Sequence, residues 1–149
     1  MIRWLFALPC LVLPLACSSG DNSLWGSESQ VYDLSFDSVQ IVLEGTQVSI
    51  QYVSSTGDAA ILTVDTANIA DVANSTIDLT QLDLGQPRGV LQNVGGGENG
   101  VSDQLSIERG TVVFDEVPKV GSTLSGQFNT TLTNGYTLDG TFSATVDAP

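Results

Sequence analysis

The sequence has no histidine and only two cysteines, Cys10 and Cys17, both close to its first residue. Beyond Cys17 the chain therefore cannot build a Ser-His-Asp or a Cys-His catalytic site. The same absence excludes zinc or copper centres with histidine or cysteine ligands, haem held by either residue, and cysteine-bound iron–sulfur clusters. It also excludes a disulfide after Cys17, so the stability of that part of the chain must come from packing.

Basic residues are also scarce. The chain has 4 lysines and arginines and 17 aspartates and glutamates, which gives a net charge of −13. Removal of the first 16 residues takes Arg3 away and leaves −14. Such a surface repels nucleic acid and anionic lipid headgroups, so we exclude a nucleic-acid partner. Calcium, basic partners and plain solubility are all compatible with this acidity, and solubility is its commonest explanation.

Long apolar runs are missing too, apart from residues 4–16, which follow Arg3 and carry no charge. A helix needs about 20 apolar residues to cross a bilayer, so this run is too short. Pro9 and Pro14 also interrupt it. A positive residue, a short apolar run and then small polar residues are the layout of an export signal.

The run ends in Leu13-Pro14-Leu15-Ala16-Cys17, which resembles the lipobox of bacterial lipoproteins. Ala16 matches the small residue before the cleavage site, whereas Pro14 stands where leucine is usual. The resemblance implies that residues 1–16 are a signal peptide and that Cys17 is lipidated, with a diacylglyceryl group on its sulfur and an acylated amino terminus. Two or more acyl chains hold a protein stably on a membrane.

The residue after the cysteine indicates which membrane. Many Gram-negative lipoproteins that stay in the inner membrane have aspartate there, and this chain has Ser18. The resemblance therefore favours the cell outer membrane, with the domain facing the periplasm or the cell exterior. The alternative is a secreted soluble protein cleaved after Gly20, where Ser18 and Gly20 supply the small pair that such cleavage prefers.

Residues 17–30 are polar and predict a flexible tether behind the lipidated cysteine. Trp25 is the one large aromatic residue of this segment, and it either contacts the membrane interface or folds back onto the domain. Residues 31–149 are expected to form a single β-domain, because apolar and polar residues alternate there with a period of two.

The first strands form a predicted three-stranded meander over residues 39–66. A two-residue turn at Glu44-Gly45 pairs Ile41 with Val48 and keeps the apolar side chains on one face. The next pairing, of Val48 with Val64 and of Tyr52 with Ala60, preserves that face.

The last two strands form a predicted hairpin with a three-residue loop at 133–135, in which Gly135 adopts the left-handed conformation of a G1 bulge. This loop sets Phe128 across from Gly140 and Phe142 across from Gly126. A two-residue Asn134-Gly135 turn would instead expose one of the two apolar rows.

The remaining strands are predicted at 76–79, at 89–94, at Leu105 and Ile107 before an Arg109-Gly110 turn, and at Val112 and Phe114, with Phe114 beside Leu124. The regular spacing of strands and turns predicts an all-β fold of about 8–10 strands, an antiparallel β-sandwich or an open β-barrel. The core aromatic residues are expected to be Phe36, Tyr52, Phe114, Phe128 and Phe142.

The acidic residues of the strands alternate with core residues, which predicts an outer, solvated position for Asp33, Asp65, Asp115 and Asp139. Calcium needs six to eight oxygen ligands, and Glu98, Asn99 and Asp103 in and beside a glycine-rich loop offer part of such a shell. The alternative is a solvated loop, and no EF-hand spacing is present. No other cofactor is expected.

An enzyme built from these residues would use carboxylates, as glycosidases do. Because the other aromatic residues are expected in the core, a platform for a sugar would have to be built from Trp25, Tyr32 or Tyr136, and we expect no catalysis. The run 121–128 with residues 139–142 is similar to the ending of uncharacterised bacterial lipoproteins, which brings no known activity. The sequence thus predicts a non-catalytic, lipid-anchored structural or interaction module whose partners are the membrane and envelope proteins or glycans. The alternative is a calcium- or glycan-binding module of the cell surface.

Overall fold

The computed structural model describes residues 22–93 and 103–149, and this part of the chain is almost entirely β-strand, which confirms the predicted all-β class. Within it, none of the helical segments has the length and apolar character needed to cross a membrane. The described elements are a 3₁₀ turn at Ser27–Gln30 and the strands β1 Ser23–Trp25, β2 Ser38–Glu44, β3 Gln47–Ser54, β4 Gly57–Asp65, β5 Thr76–Asp78, β6 Leu82–Asp83, β7 Gln86–Pro87, β8 Gly89–Asn93, β9 Asp103–Leu105, β10 Ile107–Phe114, β11 Thr123–Leu132 and β12 Thr137–Asp147.

Ten strands form one large sheet in the order β5-β10-β11-β12-β2-β3-β4-β8-β9, with β1 added beside β12. The long strand β12 joins the two halves of this sheet. One edge of β12 pairs with β11 along most of its length, while the other pairs with β1 at residues 139–141 and with β2 at 146–147. Because the β12–β2 pair is parallel, the sheet is mixed rather than antiparallel throughout.

A second connection between the halves lies at Leu79. The backbone N–H of Leu79 donates to the Gly110 carbonyl of β10 at 3.0 Å, and the Leu79 carbonyl accepts from the N–H of Gly89 at the start of β8 at 2.8 Å. The sheet thus wraps around a single core and is linked on both sides. This arrangement is consistent with both predicted architectures, the sandwich and the open barrel.

The core between the two halves holds the aromatic residues that the alternation predicts. Tyr52, Phe114, Phe128 and Phe142 are buried, and their rings meet edge to face at centroid distances of 6.2 Å (Tyr52–Phe128) and 5.8 Å (Phe114–Phe142). Phe36 packs against this cluster but is only partly buried, so its predicted core position is half right.

The β11–β12 hairpin has the predicted geometry. Gly135 has a φ of +86°, its N–H donates to the Leu132 carbonyl, and the Leu132 N–H donates to the Tyr136 carbonyl. Phe128 pairs with Gly140, and Gly126 pairs with Phe142. The three-residue loop is therefore confirmed, together with the pairing of rings over glycines.

The β2–β4 meander is confirmed, but one of its registers differs from the prediction. Val48 pairs with Val64 and Tyr52 with Ala60, as predicted. Ile41, however, pairs with Ile50, so the two-residue turn lies at Gly45 and Thr46 and the predicted register is wrong by two residues. A shift of two keeps the same side chains on the same face, so alternation alone cannot detect it.

Strand β10 corrects two further predictions. Arg109 and Gly110 do not form a turn, because β10 continues through them and pairs them with Thr131 and Thr130 of β11. A Cβ atom on Gly110 would lie 2.8 Å from the Asn129 carbonyl oxygen, so this glycine serves close strand packing. Phe114 pairs with Gly126 rather than with Leu124, again an error of two residues.

The predicted tether is wrong for residues 23–30. Ser23–Trp25 pairs with β12 as strand β1, and Ser27–Gln30 forms the 3₁₀ turn beside it. Polar composition predicted flexibility, but the hydroxyl groups of this segment bond to β12: Ser23 with Thr141 at 2.6 Å and the N–H of Thr137 with Ser27 at 2.9 Å. Trp25 lies against the domain and remains 48% exposed.

Candidate functional site

The site residues predicted from the sequence lie mostly outside the described part of the chain. Cys17, Glu98 and Asn99 fall in the ranges 1–21 and 94–102, and Asp103 is the first residue of β9. Lipidation of Cys17 and the calcium site therefore stay predictions. Among residues 22–93 and 103–149, no three carboxylates converge in a way that could hold a metal ion.

The acidic residues predicted to lie on the outer face follow that prediction in part. Asp33 and Asp115 are exposed, whereas Asp65 and Asp139 are half-buried. Asp65 accepts a hydrogen bond from the Thr46 hydroxyl at 2.9 Å. Burial raises the pKa of Asp139, which pairs with Trp25 of β1 on one side and with Asn129 of β11 on the other.

A surface cleft begins at the segment that leads into β2. Leu34 and Phe36 turn inward, and the Phe36 ring meets the Tyr52 ring edge to face at 5.0 Å and 83°. The intervening residues Asp33, Ser35 and Asp37 are exposed because side chains alternate along an extended chain. The Asp33 carboxylate accepts the Ser35 N–H at 2.9 Å.

The opposite wall is the turn between β3 and β4. The register shifts after Tyr52, which forms an irregularity in the ladder just before the turn. The Ser54 hydroxyl donates to the Gly57 carbonyl at 2.7 Å and accepts the Thr56 N–H at 3.3 Å. Ala59 is buried, and its small side chain leaves room between the two walls.

We call the space between these walls the β3–β4 cleft, and its volume is about 340 Å³. The residues that line it are Asp33, Ser35, Phe36, Asp37, Ser54, Ser55, Thr56 and Ala59. Hydroxyl and carboxylate groups dominate this lining, with the half-buried Phe36 ring as its aromatic surface. A cleft of this composition can accept hydrogen bonds from a polyhydroxylated or cationic ligand.

The hydrogen bonds of Asp33 do not favour a role for this residue as a general acid. Hydrogen bonds from Ser35 hold the pKa of Asp33 below its usual range, so this carboxylate is ionised at neutral pH. A general acid needs the opposite shift, since it must hold its proton near the working pH. The ionised Asp33 also repels anionic ligands.

The β3–β4 cleft does not follow from the sequence, although the two strands β3 and β4 do. The alternation across residues 33–37 is visible in the sequence and indicates which side chains point outward. The cleft forms only because the turn at residues 54–57 lies across from that segment, and no local pattern encodes such a juxtaposition.

Comparison with known proteins gives no relative, since no family model, no curated protein and no solved structure matches the chain.

Proposed function

We propose that this chain is a lipoprotein of the cell outer membrane, anchored through Cys17, whose β-domain is a non-catalytic structural or interaction module. The observation that carries the proposal is the resemblance of residues 13–17 to a lipobox, directly ahead of a polar stretch and a compact β-domain. A protein with a stable acyl anchor needs no spanning helix. The domain then presents its acidic surface and the β3–β4 cleft to partners in the envelope.

The anchor is tested by membrane fractionation and by mass spectrometry of the N-terminus of the processed protein. We expect the wild type in the membrane fraction with lipid on Cys17, and the Cys17→Ala variant in the soluble fraction. Cys10→Ala is the matched control and should remain lipidated, since Cys10 lies within the signal. A soluble wild-type protein that begins at Asp21 would contradict the proposal and support the secreted alternative.

The β3–β4 cleft favours a second candidate function, a glycan-binding module of the cell surface. Its hydroxyl groups, carboxylates and aromatic ring are the groups that proteins use to hold sugars. Binding of the purified wild type to an immobilised glycan array tests it, with Asp37→Asn as the cleft variant and Asp115→Asn as the matched variant outside the cleft. If no sugar is retained, or if both variants bind equally, the cleft is not a glycan site.

The calcium alternative has a separate test, because calcium bound to the folded state must raise its melting temperature. We expect a rise at millimolar calcium only if Glu98, Asn99 and Asp103 contribute ligands. The Glu98→Gln variant would then lose that rise. A melting temperature that stays constant across millimolar calcium would remove this alternative.

A further inference from the structure

Residues 22–30, which we call the N-terminal strap, lie along the edge of β12 and are held there mainly by hydrogen bonds. The Asn22 side-chain oxygen accepts the Ser143 N–H at 2.6 Å, and the Ser23 and Thr141 hydroxyls lie 2.6 Å apart. At the other end of the strap, the Ser27 hydroxyl accepts the Thr137 N–H. The strap therefore joins the β-domain along β12 through contacts between residues far apart in the sequence.

The strap has little apolar anchoring. Leu24 is partly buried and Trp25 is about half exposed, while Ser29 and Gln30 are exposed. The side chain that is fully buried is an acid, Glu28, which is 0% exposed. Leu24 packs against the core, and docking of the strap also places the Glu28 carboxyl group in a buried position, so the state of that group affects docking.

The Glu28 side chain is buried, and no hydrogen bond from the described part of the chain offsets the cost of burying its negative charge. Neither of its carboxylate oxygens has a hydrogen-bond partner within the described residues. Burial of an ionised carboxylate without a partner is strongly unfavourable, whereas the neutral acid is much cheaper to bury. Accordingly, burial raises the pKa of Glu28 above its ordinary value of 4.5.

The neighbouring elements offer no cation to offset the charge. The titratable groups on them are Asp139 and Asp147 of β12, Tyr136 before β12, and Tyr32 and Asp33 after the 3₁₀ turn. Neither residues 22–37 nor residues 136–147 include a lysine or an arginine. Burial raises the pKa of Asp139 as well, so two acids that are costly to ionise lie on the paired elements.

We propose that Glu28 is a proton-dependent latch that holds the N-terminal strap on β12 while it is protonated and releases the strap when it ionises. A group whose pKa is raised by docking stabilises the docked state fully below its undocked pKa, here about 4.5. That stabilisation is lost as the pH rises through the raised pKa of the docked state. The docked state of the strap is thus most stable at low pH.

Release changes how far the domain reaches from its anchor, a consequence that rests on the proposed lipidation of Cys17. Fully extended, the freed residues 22–30 add roughly 30 Å of chain between membrane and domain. A more acidic envelope then holds the domain close to the membrane, and a more neutral one lets it extend. The docking equilibrium itself does not depend on the lipid.

The latch is tested through Trp25, because the only other tryptophan, Trp4, can be replaced by Trp4→Phe in the full chain. As the pH rises from about 4 to 8, we expect the Trp25 emission to shift to longer wavelength while the β-sheet circular dichroism stays constant. Hydrogen exchange in the strap, corrected for its intrinsic pH dependence, should speed up about tenfold for each unit by which docking raises the pKa of Glu28.

The Glu28→Gln variant is neutral at every pH and close in shape, so it should keep the strap docked across the whole range. Glu44→Gln, at the exposed end of β2, is the matched control and should show the wild-type transition. Asp139→Asn should keep a transition, because Glu28 still titrates. The same titration of the Cys17→Ala protein should give the same transition, which separates the latch from the anchor.

Three results would overturn the latch. The first is a wild-type strap whose emission and exchange do not change with pH, a measurement that needs no variant to fold. The second is a transition that persists unchanged in Glu28→Gln. The third is a transition that disappears in Asp139→Asn, which would assign the proton to Asp139.

Discussion

Gly126 and Gly140 are the residues at which the β11–β12 hairpin admits no side chain. A Cβ atom at Gly140 would lie 2.6 Å from both the Phe128 ring and the Tyr52 hydroxyl oxygen. At Gly126 it would strike the Val113 carbonyl oxygen as well as the Phe142 ring. Each aromatic ring therefore fills the space that its glycine leaves empty.

We expect Gly140→Ala to lower the free energy of unfolding by about 1–3 kcal/mol, the usual cost of overpacking. Gly126→Ala should cost more, because a backbone carbonyl cannot rotate away as a ring can. Urea denaturation measures both values. Gly121→Ala is the control, since a Cβ atom there meets nothing within 4 Å and its φ of +83° adds only backbone strain. Equal losses at positions 126 and 140 would contradict the steric argument.

Arg88 is the buried basic residue of the described chain, and it fixes the β6–β7 hairpin to the segment that follows β4. Its guanidinium donates to the Ala67 carbonyl at 2.6 Å and to the Asp65 carbonyl at 3.1 Å, and it lies 3.9 Å from the Asp83 carboxylate. This role of Arg88 does not follow from the sequence. A lone arginine after a proline carries no pattern that indicates burial.

At the scale of elements, the N-terminal strap has a structure that differs from the one its composition predicts. Its serine and asparagine residues predict a tether, yet the same side chains supply the hydrogen bonds that dock it on β12. Gly26 has a φ of +141° and lies directly against the Thr137 carbonyl, so the strap approaches β12 where a larger residue could not. The deciding contacts join residues about 110 positions apart in the chain.

We expect Thr137→Val to loosen the strap without unfolding the rest of the β-domain. The substitution removes the hydroxyl that accepts the Ser27 N–H at 3.2 Å and preserves the β-branched shape. Hydrogen exchange should become faster in residues 22–30 and stay unchanged in β2, β3 and β4. Thr145→Val, at an exposed position of the same strand, is the control and should leave both regions unchanged. Uniformly faster exchange would show that the strap and the rest of the β-domain unfold together.

At the scale of the whole molecule, acidic residues far outnumber basic ones. The net charge is −13, and within residues 22–93 and 103–149 there is one salt bridge, between Arg88 and Asp83. Exposed charges repel one another over the Debye length, which falls from about 30 Å at 0.01 M salt to about 3 Å at 1 M. Folding concentrates these charges, so the folded state bears the repulsion more than the unfolded chain does.

We therefore expect sodium chloride to raise the melting temperature by a few degrees, with most of the rise complete by physiological ionic strength. Differential scanning calorimetry measures it. A double variant, Glu44→Gln with Glu116→Gln, removes two exposed charges and should respond less to salt while melting higher at low salt. A melting temperature that does not change, or that falls, would show that the acidic surface does not limit stability.

The all-β class, the meander, the β11–β12 hairpin and most of the core follow from the sequence by itself, because alternation and turn residues act between neighbours along the chain. Other features depend on how distant strands meet, which a period of two does not specify. They are the choice between registers that differ by two residues, the parallel β12–β2 pair and the link at Leu79. The docked strap, buried Glu28 and the β3–β4 cleft likewise arise only in the folded molecule. The tertiary structure alone determines these three features, because each requires distant segments of the chain to come together. Burial, and not residue type alone, then sets the chemical properties of their side chains.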